Sequence, residues 1–462
     1  MNTFDTRLST FAKCWALASL FHQAKPAHWV SGTPEAALTF ASFLLLFVRV
    51  TVFRFALFLV LQICVIMSQL PWPVTNHWIL TFFIGFSGLI AAAQAIRKDG
   101  SWAPTARTWL GEFVDPARIQ VLVLYAFTFL HKLNSDFLDV SHSCASAHYL
   151  NLKHLIPFLP GSEWARLVAV YSTLAIEGGI PLLLFFGRTR LIGVGLALGF
   201  HTLIGLNNFF DFSATMFALL LLFIPAGPRG PKAPTWAYDF AWGPARLEAS
   251  RPVAFLVSAS ALAGILTVLA GRLSKEASTT LGIVCGVVYG GGLLLSFLMF
   301  LKARRSLSAD SDSIRFGALP HFVPLLLLIL NGLSPYLGLK TESSFAMFSN
   351  LRTEGGKSNH LFMPSAQLFG FQEELVQIVD STDPELKNKH DQWIPISGLR
   401  LRFEESLRRG SPFSVSYRSV DGTLRSLGGA PDSASQGLTP YLLWKVLVFR
   451  SIKSPDRMIC QH

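Results

Sequence analysis

"FTFLHKLNSDFLD", Phe127 to Asp139, is the stretch on which the reading of this chain turns. A long apolar run reaches it, and then an imidazole and an amine stand side by side, His131 and Lys132. Asn134, Asp136 and Asp139 follow at once. Apolar side chains in such a run suit hydrocarbon, whereas the groups that end it need water or polar partners. The stretch therefore reads as a membrane-crossing helix arriving at its polar boundary.

The rest of the chain agrees with that class. Of 462 residues 51% are hydrophobic and only 15% charged, with 39 Phe and 11 Trp, and the mean hydropathy is +0.44. A soluble domain of this length needs more polar surface than that. The net charge of +11 is not gathered into a basic stripe, so no nucleic-acid partner is expected. The basic residues fall instead between apolar runs, as loop charges do in membrane proteins.

Nine apolar runs are candidate spans: 38–66, 75–96, 117–133, 164–186, 189–206, 211–226, 252–271, 280–301 and 318–338. The third and sixth are short, and "GRTR", Gly187 to Arg190, makes the fourth and fifth a tight antiparallel pair. Alternate loops differ in charge. One set carries fourteen Lys and Arg, from Arg97 to Arg315, while the other carries Lys153, Arg166, Arg272 and Lys275. The positive-inside rule then places the N-terminus in the cytoplasm and the C-terminal part outside. Residues 1–37 hold a short apolar patch, "FAKCWALASLF", read as a peripheral helix at the membrane surface. Residues 38–339 form the transmembrane domain. Residues 340–462 are polar and read as a small extracytoplasmic α+β domain, with a hairpin turning at Asp421-Gly422 and a short helix after Thr439. The fold class is thus an all-α polytopic membrane domain followed by that small domain.

Four clusters carry candidate chemistry. Lys132 ends the third run. It suits a snorkelling anchor, or a base if its amine loses hydration and turns neutral. Asn76 and His77 open the second run; Asn76 also suits a helix cap. Glu177 and His201 lie in the middle of adjacent antiparallel runs and are expected to pair, with Asn207, Asn208 and Asp211 lining the next turn. Intramembrane ionisable groups of this kind face a cavity or a partner. "SSFAMFSNLRTEGGKSNHLFMP", Ser343 to Pro364, follows the last run. It reads as a polar linker or as a flap in which Arg352 holds a substrate carboxylate. The five cysteines form no CxxC pair, and no metal centre is expected. Cys144 and Cys460 fall on the outer side, and their pairing stays open. There is no P-loop, GxSxG, HExxH or dinucleotide fingerprint.

Together these motifs resemble the vitamin K-dependent γ-carboxylase family, in particular its bacterial branch with a horizontally transferred transmembrane domain. The resemblance runs from about Ala36 to Leu427. "HKLNSDFLD" is similar to the family's lysine motif, which implies that Lys132 is the catalytic base. "NHW" is similar to its Asn-His pair, implying active-site roles for Asn76 and His77 in binding or polarising a quinol. "GFHTLIGLNNFFDFSATMFALLLLF" resembles its histidine-bearing span, with His201 in that histidine's place. "SSFAMFSNLRTE" and "FSVSYRSVDGTLRSLG" resemble the segments that follow. The resemblance implies reduced vitamin K or a related quinol as cofactor, O2 and CO2 as co-substrates, and a glutamate-containing peptide or protein on the outer face. It also implies a bacterial inner membrane. Residues 340–462 are far fewer than the extracytoplasmic part of the animal enzymes. The rivals are another quinol-dependent membrane redox enzyme and a non-catalytic transporter or assembly protein.

Overall fold

The computed structural model describes residues 3–24, 33–71, 74–224, 275–304, 313–366, 368–429 and 439–460. It is mostly helical, with a small C-terminal sheet. The long helices are α1 (Thr3–Ala24), α2 (Thr33–Phe47), α3 (Val52–Gln69), α4 (Asn76–Asp99) and α5 (Ala106–Lys132). A single turn, α6 (Ser135–Leu138), and α7 (Cys144–Leu155) follow. Then come α8 (Glu163–Phe185), α9 (Arg190–Leu206), α10 (Phe210–Leu220), α11 (Lys275–Arg304) and α12 (Phe322–Leu333).

Five helices among the described residues are long and apolar enough to cross a membrane: α3, α4, α5, α8 and the Gly282–Lys302 portion of α11. Pro34–Phe47, Arg190–Leu206, Phe210–Phe223 and Leu319–Leu333 are apolar but shorter. The expected run 252–271 lies outside the described residues. Large apolar side chains such as Phe40, Leu57, Leu182, Leu295 and Leu326 are exposed. Lipid solvates such a face and water does not.

Three expectations are corrected. The run 38–66 is two helices, not one. The chain breaks at 48–51, where Thr51 Oγ1 accepts from Arg54 N at 3.3 Å and the Arg54 guanidinium donates to Arg49 O at 2.8 Å. A helix start and a helix end are thereby satisfied locally. The run 117–133 begins eleven residues earlier, at Ala106. Pro116 lies inside α5 and does not start it. The N-terminal helix is not a surface helix, for Phe11, Ala12, Ala16, Leu20, Phe21 and His22 are all fully buried. Polar residues in it are covered too, Ser19 and Gln23 among them, so the helix lies in an interior.

The chain divides into two compact units, along lines other than residue 340. Unit 1 comprises residues 1–68, 77–125 and 176–328. Its interior is aromatic: Phe11 meets Phe55 and Phe113, and Trp109 stacks on Phe113 at 4.4 Å. Several of its buried polar groups find partners. Arg7 and Arg118 both donate to Leu222 O, at 3.1 and 2.9 Å. Trp15 donates to Gln62 at 2.7 Å. The turn between α8 and α9 is as tight as "GRTR" predicts. Arg190 donates to Leu184 O at 3.1 Å and so closes the end of α8. A Cβ on Gly193 would come within 2.9 Å of the Leu184 nitrogen, so glycine lets the two helices meet.

Unit 2 comprises residues 69–76, 126–175 and 329–462. Its antiparallel sheet has the order β2-β1-β3-β4, with β1 Leu375–Ser381, β2 Trp393–Pro395, β3 Phe413–Ser419 and β4 Leu424–Gly429. The β3–β4 hairpin is the expected one, and Gly422 takes φ 83° at its turn. α13 (Pro384–Lys387), α14 (Ile396–Arg409) and α15 (Tyr441–Val446) flank the sheet, α15 being the helix expected after Thr439. Val376, Ile378, Leu399, Val415 and Phe449 form its core. Cys144 and Cys460, 316 residues apart, are joined by a disulfide with their Cα atoms 4.8 Å apart.

Candidate functional site

In unit 2 the polar residues of "HKLNSDFLD" are wired one by one. The His131 ring is fully buried, and its Nε2 donates to Gly332 O at 3.1 Å. Lys132 is only 3% exposed. Its ammonium turns back along α5 to Thr128 O at 3.3 Å, 5.9 Å from the centre of the Phe137 ring. A snorkelling lysine extends its head to the interface; this one does not. Asn134, also fully buried, donates to His131 O at 2.7 Å and Ser349 O at 2.6 Å. Its oxygen caps α6 by accepting from Phe137 N at 2.8 Å. Asp136 accepts from Asn359 at 2.8 Å and from Met458 N at 2.7 Å. Two hydrogen bonds from Ser141, followed by His142, hold the Asp139 carboxyl down at about 2.

The segment after α12 is the other half of this network. Ser343, Phe345, Phe348 and Asn350 all have positive φ, between 53° and 66°. Each such non-glycine residue costs about 1–2 kcal/mol and persists only where the surroundings fix it. Here they do. Asn76 Oδ1 accepts from Phe345 N at 2.6 Å, so Asn76 pins this loop and is not merely a helix cap. Ser343 Oγ donates to Val74 O at 2.5 Å. Asn350 joins the two cysteine-bearing segments, accepting from Cys144 N at 2.8 Å and donating to Met458 O at 2.8 Å. His360 Nε2 donates to Leu130 O at 2.8 Å, while its Nδ1 accepts from Met363 N at 2.9 Å. That is a neutral ring, and burial lowers its pKa in the same sense. Arg352 is 8% exposed, and among the described residues its Nε has no hydrogen-bond partner. Such a donor fits the expected role of holding a carboxylate.

Within unit 2, Glu354 of the Ser343–Pro364 segment finds a partner that the sequence did not indicate, and Lys340 was not singled out. Glu354 is fully buried and meets Arg450 at 2.7 Å. Burial pushes its carboxyl up, but Arg450 outweighs that and holds it below the ordinary range. The Lys340 amine is pushed down to about 8 by burial, with Glu342 acting against the shift.

In unit 1 two of the predicted residues find unforeseen partners. His201 is buried and its Nε2 meets the Tyr125 hydroxyl at 2.7 Å. The expected direct pair with Glu177 is therefore corrected: Tyr125 occupies that nitrogen, and Glu177 acts electrostatically on the same hydroxyl. His77, 4% exposed, opens α4. His22 Nδ1 lies 2.9 Å from its Nε2, and Asp211 Oδ2 lies 3.7 Å from the same atom. The His77 and His201 rings both lie against Phe212, at 6.0 and 5.2 Å. His22 was hidden in the N-terminal patch. Its one signal was a histidine closing an otherwise apolar stretch.

Asn76, Lys132 and Arg352 thus belong to unit 2, and His77 and His201 to unit 1. No protein-family model, no curated protein and no solved structure matches this chain.

Proposed function

We propose that this chain is a membrane enzyme that deprotonates a quinol at Lys132 and couples its oxygenation to carboxylation of a glutamyl side chain. The observation that carries the reading is the burial of Lys132 at the end of a spanning helix. A lysine there stands where a lipid-borne substrate arrives, within reach of a proton it could accept. In the family this chain resembles, the quinol takes up O2 and ends as epoxide and water. The strong base formed on the way removes a γ-proton from glutamate, and the carbanion adds CO2. Asn76 binds or polarises the quinol in this reading, and Arg352 holds the glutamyl peptide's carboxylate. The strained Ser343–Asn350 loop supports it as well, since backbone strain gathers at working sites.

In this reading residues 340–462 lie outside the cytoplasm of a bacterial inner membrane, a sidedness the fourteen-to-four loop charge bias favours. The Cys144–Cys460 disulfide suits that oxidising side.

The test is quinol-dependent O2 uptake by purified, detergent-solubilised protein. Lys132→Arg keeps the charge, but a guanidinium does not accept a proton. Wild type takes up O2 and Lys132→Arg does not; wild-type rates in the variant refute the base. Mass spectrometry for carboxylated glutamate then separates carboxylation from quinol oxidation alone.

A further inference from the structure

Of the His22, His77 and Asp211 cluster in unit 1, neither His22 nor Asp211 has a part in the chemistry just described. His22 lies at the end of α1, His77 in the first turn of α4 and Asp211 in the first turn of α10. All three are buried, at 0%, 4% and 2% exposed. One donor atom from each lies within 4.8 Å of the other two.

Two chemistries bring a carboxylate and two imidazoles together. A proton relay runs through a central histidine, which uses one ring nitrogen toward each neighbour. Here both neighbours approach the same atom, His77 Nε2, at 2.9 and 3.7 Å. Three donors converging on one point is the arrangement of a cation site. Ligand bonds of about 2.0–2.1 Å in a tetrahedral site set neighbouring donors roughly 3.3 Å apart. Two of the three separations bracket that spacing, and the third is within 4.8 Å. Ring positions are also fixed, because His22 stacks on Trp78 with centroids 3.9 Å apart and planes 12° apart. From these observations we infer that His22 Nδ1, His77 Nε2 and Asp211 Oδ2 bind a divalent first-row transition ion, zinc in the first instance.

The donor set selects the ion. Two imidazoles and one carboxylate suit zinc and its neighbours. Calcium and magnesium prefer all-oxygen shells, and cuprous copper prefers sulfur. Three protein ligands leave a fourth position for water or a substrate oxygen. A divalent ion also offsets the charge of a carboxylate held out of water. The site is independent of the role given to Lys132.

The experiment uses full-length protein carrying no histidine tag, purified in detergent, stripped with a chelator and titrated with Co2+ and with Zn2+. The wild type binds about one equivalent of Co2+, with the ligand-field bands of a low-coordinate site, and Zn2+ displaces it. X-ray absorption of the cobalt-loaded wild type shows two imidazoles among the ligands. His22→Gln and Asp211→Asn, each checked for a monodisperse folded species, lose the bands or weaken binding by tenfold or more. The site is overturned if the wild type retains no Co2+, or if the absorption spectrum shows no imidazole. It is equally overturned if both folded variants bind Co2+ as the wild type does. The absorption measurement needs no variant, so misfolding of the variants leaves the test intact.

Discussion

The Asn134 amide donates to the carbonyl of Ser349, 215 residues further along the chain, at 2.6 Å. That bond ties the end of the α5 stretch to the strained loop after α12, both within unit 2. The same side chain holds His131 O and caps α6. A buried amide with every donor and acceptor matched specifies one arrangement of its neighbours.

Asn134→Ala leaves Ser349 O, His131 O and Phe137 N without this partner. Each stranded buried group costs about 1–3 kcal/mol. The variant is expected to lower the thermal midpoint of solubilised protein by many degrees. Asn134→Asp, which sets acceptor against two carbonyls, is expected to be at least as damaging. A midpoint within a degree of wild type for both refutes the hub.

Glu354 and Arg450 form a buried pair. Arg450→Gln strands the Glu354 carboxylate, at a cost of about 3–5 kcal/mol. Glu354→Gln together with Arg450→Gln recovers part of that loss, so a double-mutant cycle gives a coupling well away from zero. The pair also fixes a pH dependence. The folded carboxyl lies below its ordinary value, so its stabilisation is present above the unfolded pKa and is lost as pH falls through the folded one. Acid midpoints of wild type and Glu354→Gln measure it.

Lys340 gives the opposite end of the pH scale. Its amine is held at about 8, against 10.5 for the free side chain. The unfolded state therefore binds more protons between those values, and stability rises with pH across that window. The gain is at most about 3 kcal/mol. Lys340→Met removes the pH dependence and raises stability at pH 7. Equal slopes for the two proteins between pH 8 and 10 count against it.

The Cys144–Cys460 bridge closes a loop of most of the chain. Non-reducing peptide mapping is expected to recover the two cysteine peptides as one linked species. Cys144→Ser is expected to destabilise unit 2 by about 2–5 kcal/mol. Two alkylatable thiols in the unreduced protein rule the bridge out.

Tyr125→Phe keeps the ring and removes the hydroxyl that meets His201 Nε2. A buried ring nitrogen left unmatched costs about 1–3 kcal/mol. If Tyr125 rather than Glu177 is the partner of His201, Tyr125 and His201 couple in a double-mutant cycle on stability. Tyr125→Phe with His201→Phe then costs less than the sum of the single changes. Strict additivity argues against the contact.

How much of this was legible follows from the range of each interaction. The apolar runs that became α4, α8 and α11 were readable, because a membrane-length helix is written in consecutive residues. The β3–β4 hairpin was readable as well: Asp421-Gly422 supplies a turn whose glycine takes positive φ. The sequence also singled out Asn76, His77, Lys132, His201 and Arg352, since polar groups at the ends or middles of apolar runs stand out locally. Their partners did not stand out. His22 meets His77 across 55 residues, Asn76 meets Phe345 across 269, and Cys144 meets Cys460 across 316. Backbone propensity and hydrophobic pattern act over a few residues. Which side chains share a point in space is decided by how whole helices and loops pack, and only the tertiary structure carries that.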